Sequence, residues 1–173
     1  IGFINCAQPQ YGHVISEYPI IIENCQFHSF VGLSINCNSS IRFENCRFME
    51  YLSISNLEKV NLIISKCSVY METTISNCKS VSLQFNTNFG HIKFIKNSFT
   101  NFFLTGSYNE VTLIENSFEY EFDINKVTVG TITFKKGEYN CSIFLTESNF
   151  QNKVVFEGGI FGNLIQIKSC NFN

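Results

Sequence analysis

Glu23 and Glu44 sit at matching places in a repeated segment, which makes them the carboxylate pair in this chain best placed for general acid–base work. That work needs two carboxyl groups at a defined separation, one protonated and one ionised. The only two arginines, Arg42 and Arg47, lie beside them in sequence, so a surface ion-pair cluster is expected rather than a catalytic pair. Asp123 is the sole aspartate and the other glutamates are scattered. Neither a carboxylate active site nor an oxygen-rich calcium site follows from that distribution. His13, His28 and His91 have no mutual metal spacing, and no Cys-x-x-Cys pair offers a zinc site. No metal and no cofactor is therefore expected. His28 beside Ser29 lacks an orienting acid, so it does not read as an activated nucleophile. No glycine-rich phosphate loop is present, and Gly158-Gly159 reads as a tight corner. The sequons Asn38-Ser39-Ser40 and Asn140-Cys141-Ser142 carry little weight in so asparagine-rich a chain.

The eight cysteines could pair as four disulfides, yet their positions point elsewhere. Cys25, Cys46 and Cys67 share one repeat slot, and Cys37 and Cys78 share another. Residues so placed would stack as small, semi-buried fillers, and the slot also accepts Ser and Thr. Free structural thiols and a reducing, cytoplasmic compartment are expected; disulfides would go with an extracellular or cell-surface home.

What positions these side chains is a segment that returns every 21 residues or so. Ile20-Ile21-Ile22-Glu23-Asn24-Cys25-Gln26-Phe27 recurs as Ile41-Arg42-Phe43-Glu44-Asn45-Cys46-Arg47-Phe48, then as Leu62-Ile63-Ile64-Ser65-Lys66-Cys67-Ser68-Val69. Looser versions follow at Leu83–Phe89, Val111–Phe118, Ile132–Tyr139 and Val154–Phe161. A second, shorter motif lies within each period, as in Leu33-Ser34-Ile35-Asn36-Cys37, Leu52-Ser53-Ile54-Ser55-Asn56 and Thr73-Thr74-Ile75-Ser76-Asn77-Cys78. Both alternate apolar and polar residues and are rich in β-branched and aromatic types, which is strand patterning. A fixed period of this length built from strands predicts an all-β, single right-handed parallel β-solenoid over residues 1–173 with no substantial helix. Successive coils stack about 4.8 Å apart, so roughly eight coils would form a rod about 40 Å long.

Interior columns can be named on this basis. Ile22, Phe43, Ile64, Phe85, Leu113, Phe134 and Phe156 are expected to form one, and Phe27, Phe48, Val69, Phe89, Phe118 and Tyr139 another. Nineteen Phe and no Trp suit a narrow interior filled with stacked rings. Asn24 over Asn45, and Asn36 near Asn56 and Asn77, are expected at corners, where an amide can bond to the next coil and tolerate left-handed backbone.

The units Asn24-Cys25-Gln26-Phe27 and Asn45-Cys46-Arg47-Phe48 resemble the core of pentapeptide-repeat proteins, and the whole chain resembles the wider class of right-handed parallel β-helix proteins. A full pentapeptide array returns every five residues, whereas here the unit returns once or twice per coil. The resemblance implies the solenoid architecture. It implies no single activity, since both groups include enzymes, adhesins, phage spikes, immunity factors and protein-binding modules.

Hydrophobic residues make up 45% of the chain and charged ones 15%, the composition of a folded domain. A net charge of -2 gives neither the basic footprint of a nucleic-acid binder nor the acidity of a nucleic-acid mimic. No apolar run reaches the roughly 18 residues of a membrane helix. The repeat starts at once with Phe3-Ile4-Asn5-Cys6 and is still running at Ser169-Cys170-Asn171-Phe172, so a piece of a longer chain, with partners capping its ends or end-to-end contact, is expected. One lapse stands out, since the long motif steps from 83 to 111. An insertion over residues 99–110 would account for it, and insertions in solenoids gather on one side, commonly the binding side. Phe102, Phe103 and Tyr108 are then candidate partner-binding residues. The functional expectation is a non-enzymatic repeat scaffold that binds protein. The alternatives are a carbohydrate-binding or carbohydrate-active β-helix, and a structural spacer in a larger assembly.

Overall fold

A computed structural model of the protein describes residues 10–16, 18–37 and 40–173, with side chains described at 18–32 and 40–173. Expectations for His13, for the Cys6, Asn36 and Cys37 side chains and for the Asn38 sequon lie outside the described residues. The first strands are β1 (Gln10–Ser16), β2 (Ile20–Glu23), β3 (Gln26–Phe27), β4 (Val31–Cys37), β5 (Ser40–Glu44), β6 (Arg47–Phe48) and β7 (Leu52–Ser55). Four long strands follow, bent around corners: β8 (Asn61–Ser76), β9 (Val81–Ile95), β10 (Ser98–Ile114) and β11 (Ser117–Lys135). The chain closes with β12 (Glu138–Tyr139), β13 (Ile143–Thr146), β14 (Asn149–Glu157), β15 (Ile160–Phe161), β16 (Ile165–Lys168) and β17 (Asn171–Phe172).

Every strand pairing is parallel and joins one coil to the next. The fold is an all-β parallel solenoid of coils of about 21 residues, winding through about 7 turns. No helix occurs among the described residues. Alternation along each strand decides which side chains enter the core, as in the inward Ile20 and Ile22 and outward Ile21 and Glu23 of β2. Aromatic rings stack down the interior, with Phe27 on Phe48 at 4.9 Å and Phe118 on Tyr139 at 4.9 Å, as the large number of phenylalanines implies.

Corners are made by one residue in left-handed conformation followed by a buried one, small at most corners but Leu57 after Asn56 and Val127 after Lys126. Asn24, Asn45, Asn56 and Asn77 take φ between 52° and 60°, as expected for corner asparagines. The same position is held by Lys66, Lys96, Glu115, Lys126, Lys136 and Glu147 in other coils. A left-handed corner costs a residue with a Cβ about 1–2 kcal/mol, and the closed ring of ladder bonds on either side offsets it.

The register corrects the expected columns. Ile20, Ile41, Leu62 and Leu83 are followed in the same column by Phe102, Phe122, Ile143 and Ile165. Ile22, Phe43, Ile64 and Phe85 continue into Leu104, Ile124, Leu145 and Ile167, not into Leu113. Leu113, Phe134 and Phe156 belong to the column of Ile54, Ile75 and Phe94. Phe89 is followed by Tyr108 and Val129, while Phe118 and Tyr139 stack with Phe99. There is no insertion at 99–110. That segment lies within β10 and pairs with β9 on one side and β11 on the other. Coils here are shorter, because two corners each lose a residue, and the strand from Val111 onward is the second motif of its coil, not the first.

Candidate binding surfaces

The corner slots account for most of the sequence signature. Cys25, Cys46 and Cys67 each donate a thiol hydrogen bond to the carbonyl two residues back, at Glu23, Glu44 and Ser65, with Sγ to O distances of 3.1, 3.4 and 3.2 Å. Cys67 Sγ also accepts the backbone N–H of Cys46 at 3.4 Å. Ser148 repeats the pattern with oxygen, donating to Thr146 O at 2.7 Å and accepting from Val127 N–H at 3.1 Å. The slot therefore suits a short side chain that both donates and accepts, because the left-handed residue interrupts the backbone ladder there, although Val127 fills it one coil before Ser148. Cys46, Cys67, Cys78, Cys141 and Cys170 carry no disulfide.

Electrostatics divides the thiols. The Cys67 side chain, hydrogen-bonded to Cys46, lowers the Cys46 pKa to about 7, while the same bond and then burial push Cys67 far up. Cys46 is wholly buried, so its polarised sulfur meets backbone rather than reagent. Burial alone pushes Cys78 up to about 11.

The expected ladder residues come together. Asn45 Nδ2 donates to Asn24 Oδ1 at 2.7 Å on the outside of one corner. A second, buried amide ladder at the opposite corner was not singled out from the sequence. There Asn97 N–H and Nδ2 both donate to Asn116 Oδ1, at 3.0 and 2.9 Å, and the two Nδ2 groups donate to Ile75 O and Phe94 O of the coil before. The signal was the position of Asn97 and Asn116 in the slot that Cys78 fills one coil earlier. Gly137 and Gly159 fill it farther on, where a Cβ would come within about 3 Å of the Tyr139 and Phe161 rings.

Glu23 and Glu44 are neighbours in consecutive coils, and Glu44 is held by Arg42 and by Lys66 at 3.5 Å. This is an ion-pair cluster on a polar depression also lined by Asn24 and Asn45. His91 lies 3.3 Å from Glu110, and His28 is exposed and distant from it in the stack. No group of three metal-binding side chains occurs among the described residues.

Of the candidate partner-binding residues, Phe102 is 0% exposed and Tyr108 4% exposed. Both are core, with Phe102 stacked on Phe122 at 4.9 Å and the Tyr108 hydroxyl donating to Thr105 O at 2.7 Å. Phe103 alone of the three points outward and is half-buried. The expected contact patch is not assembled by these residues.

A different patch is. Met49, Tyr51, Tyr70 and Met71 are 37%, 43%, 62% and 44% exposed. They occupy the bends that link β6 to β7 and lie within β8, in consecutive coils. The corner has three residues there and only two in the next coil, at Gly90 and His91, so Tyr70 and Met71 form a projecting step. Gly90 lets that step close, since a Cβ would meet Met71 O at 3.1 Å. Below the step runs a shallow groove of about 440 Å³ lined by Tyr70, Asn88, Gly90, Ser107, Asn109, Thr128 and Gln151. In sequence the cue was four large apolar residues in the gaps between strand motifs, where polar turn residues are the norm.

No protein-family model matches the chain, and no similar protein is found among curated proteins or among solved structures. No helix of the described residues is long and apolar enough to cross a membrane.

Proposed function

We propose that the protein is a non-enzymatic solenoid scaffold that binds other proteins through the Met49, Tyr51, Tyr70 and Met71 step. The exposure of these four residues side by side on the flank of the rod, away from the open last turn, carries this reading, because clustered exposed apolar surface is a common mark of an interaction site. Tyr and Met are enriched at the centres of protein interfaces, Tyr for its large rigid area and Met for its adaptability. The rod supplies what a scaffold needs, a surface fixed by continuous ladders rather than by mobile loops.

The test compares proteins retained by the immobilised full chain with those retained by a Met49→Ser, Tyr70→Ser, Met71→Ser variant and by a Lys126→Ser control. At least one protein held by the parent and the control, and released by the triple variant, is expected. Identical retention by all three would remove the step as the binding surface.

A second reading is favoured by the groove below the step. Its Asn88, Ser107, Asn109, Thr128 and Gln151 side chains offer amides and hydroxyls beside the exposed Tyr70 ring, a combination suited to a sugar. Binding on a glycan array, abolished by Tyr70→Ala, would favour this carbohydrate reading over the first.

A further inference from the structure

The last turn of the rod has a neighbouring coil on one side only. Residues 153–157 of β14, together with β15, β16 and β17, pair with the turn below, and no strand among the described residues lies against their outer edges. The inward columns end there as open apolar surface, with Phe156, Ile165, Ile167 and Phe172 40%, 37%, 51% and 55% exposed. Ile20, Ile22 and Phe27 are the first described members of the columns that Ile165, Ile167 and Phe172 end, and they are no more than 3% exposed. One end of the described rod is thus covered and the other is open. An open strand edge with apolar side chains behind it is a template for another chain. When a single open end meets its own copy, the result is a closed two-fold pair, because a head-to-tail fibre needs two different complementary ends.

The open end is also self-complementary. Turns here advance 22 residues, from Thr133 to Val155 and from Phe144 to Gln166, and Val155 and Gln166 stand 11 residues, or half a turn, apart. They lie at the middle of opposite long sides, so one axis across the rod end passes through both. A two-fold rotation about that axis lays β14 antiparallel on β14 of a second copy. Lys153 then faces Glu157 of the second copy twice over, and Val154 faces Phe156. Glu157 meets Lys135 of its own chain through Oε2 at 3.2 Å, which leaves Oε1 for the second copy. On the opposite side the same rotation sets Ile165 against Ile167, so inward residues meet inward residues on both long sides. Four sides of about five residues make an end roughly 17 Å across in backbone and roughly 25 Å with side chains. Contact over that area buries about 1,200 Å² in total, the lower bound for a specific, stable interface.

We propose that two copies of the chain join tail to tail through their last turns, about the two-fold axis through Val155 and Gln166. An interface of this size corresponds to dissociation in the micromolar range, so the dilute chain keeps its last turn open. The pairing goes beyond the protein-binding reading and does not rest on it, since it uses the end of the rod and not the step at Tyr70.

Sedimentation equilibrium of the full chain, from submicromolar to submillimolar concentration, tests it. A mass that rises to a limit at twice the chain mass is expected, with association weakened about tenfold or more in Ile167→Asp. Lys153→Glu and Glu157→Lys are each expected to weaken self-association, because each sets like charges across the axis at two places. An equimolar mixture of those two variants restores both opposite-charge pairs and is expected to form a mixed dimer at parent affinity. A chain that stays monomeric throughout, a mass that climbs past the dimer without limit, or a mixture no stronger than its components would each overturn the proposal. The parent and the mixture decide should Ile167→Asp fold poorly. The Met49→Ser, Tyr70→Ser, Met71→Ser variant is expected to dimerise as the parent does; loss of the dimer in that variant would assign self-association to the step and overturn the end-to-end pairing.

Discussion

At the scale of single residues, the corner slot explains why the repeat tolerates Cys, Ser, Asn and Gly but not larger apolar side chains at most coils. The left-handed residue turns the chain and leaves backbone groups that the next side chain must satisfy. Cys67 does so by accepting the Cys46 N–H and donating to Ser65 O. Cys67→Ala removes the acceptor and leaves a buried N–H alone, which is expected to cost about 1–3 kcal/mol. Cys67→Ser keeps both bonds, as Ser148 does farther along, and is expected to stay within about 1 kcal/mol of the parent. Urea unfolding midpoints measure both; equal losses in the two variants would show that the slot is filled for volume alone. The corner role of Asn24, Asn45, Asn56 and Asn77 was legible because asparagine favours left-handed backbone. That Lys66, Lys126 and Glu147 take the same φ was not legible, since nothing intrinsic to Lys or Glu favours it and only the ladders on both sides impose it.

At the scale of elements, the strands and their parallel stacking could be read from alternation and period, but the register past Leu83 could not. Both kinds of corner use the same device, so Val111 to Phe118 carries the pattern apolar-x-apolar, then a small residue before a ring, just as Ile20 to Phe27 does. Once coils lose a residue at two corners, pattern alone lines up the second motif of one coil with the first motif of another. The apparent insertion, and with it the outward placement of Phe102 and Tyr108, came from that slip. Gly106 marks one shortened corner. Its φ is 111°, and a Cβ there would lie 1.9 Å from Thr87 O in the adjoining coil. Gly106→Ala must therefore push two coils apart or abandon the turn, and a loss of about 2–4 kcal/mol is expected. Gly162→Ala is the control, because its nearest contact, Tyr139 O at 3.5 Å, is ordinary. Thermal melts followed by circular dichroism should separate the two clearly; similar melting points would mean that the shortened corner relaxes without cost.

At the scale of the whole molecule, each coil touches only the coils before and after it, so stability is a sum of neighbour interfaces rather than the property of one closed core. Phe134 and Phe156 isolate that effect, because they share a column and stack on each other at 4.6 Å. Phe134 is 1% exposed with coils on both sides, whereas Phe156 is 40% exposed on the last turn, where Ile160, Leu164, Ile167 and Phe172 are also open to solvent. In the 173-residue chain, Phe134→Ala is expected to cost about 3–5 kcal/mol and Phe156→Ala about half of that or less. Native-state hydrogen exchange adds the spatial dimension. Phe156→Ala should speed exchange in Ile160–Phe172 and its immediate neighbours while leaving the β8 and β9 amides at parent rates, because unfolding of one end need not propagate. Uniform acceleration along the rod would instead mean that the coils melt as one unit, and the partner-binding step at Tyr70 would then depend on the far end of the molecule for its rigidity.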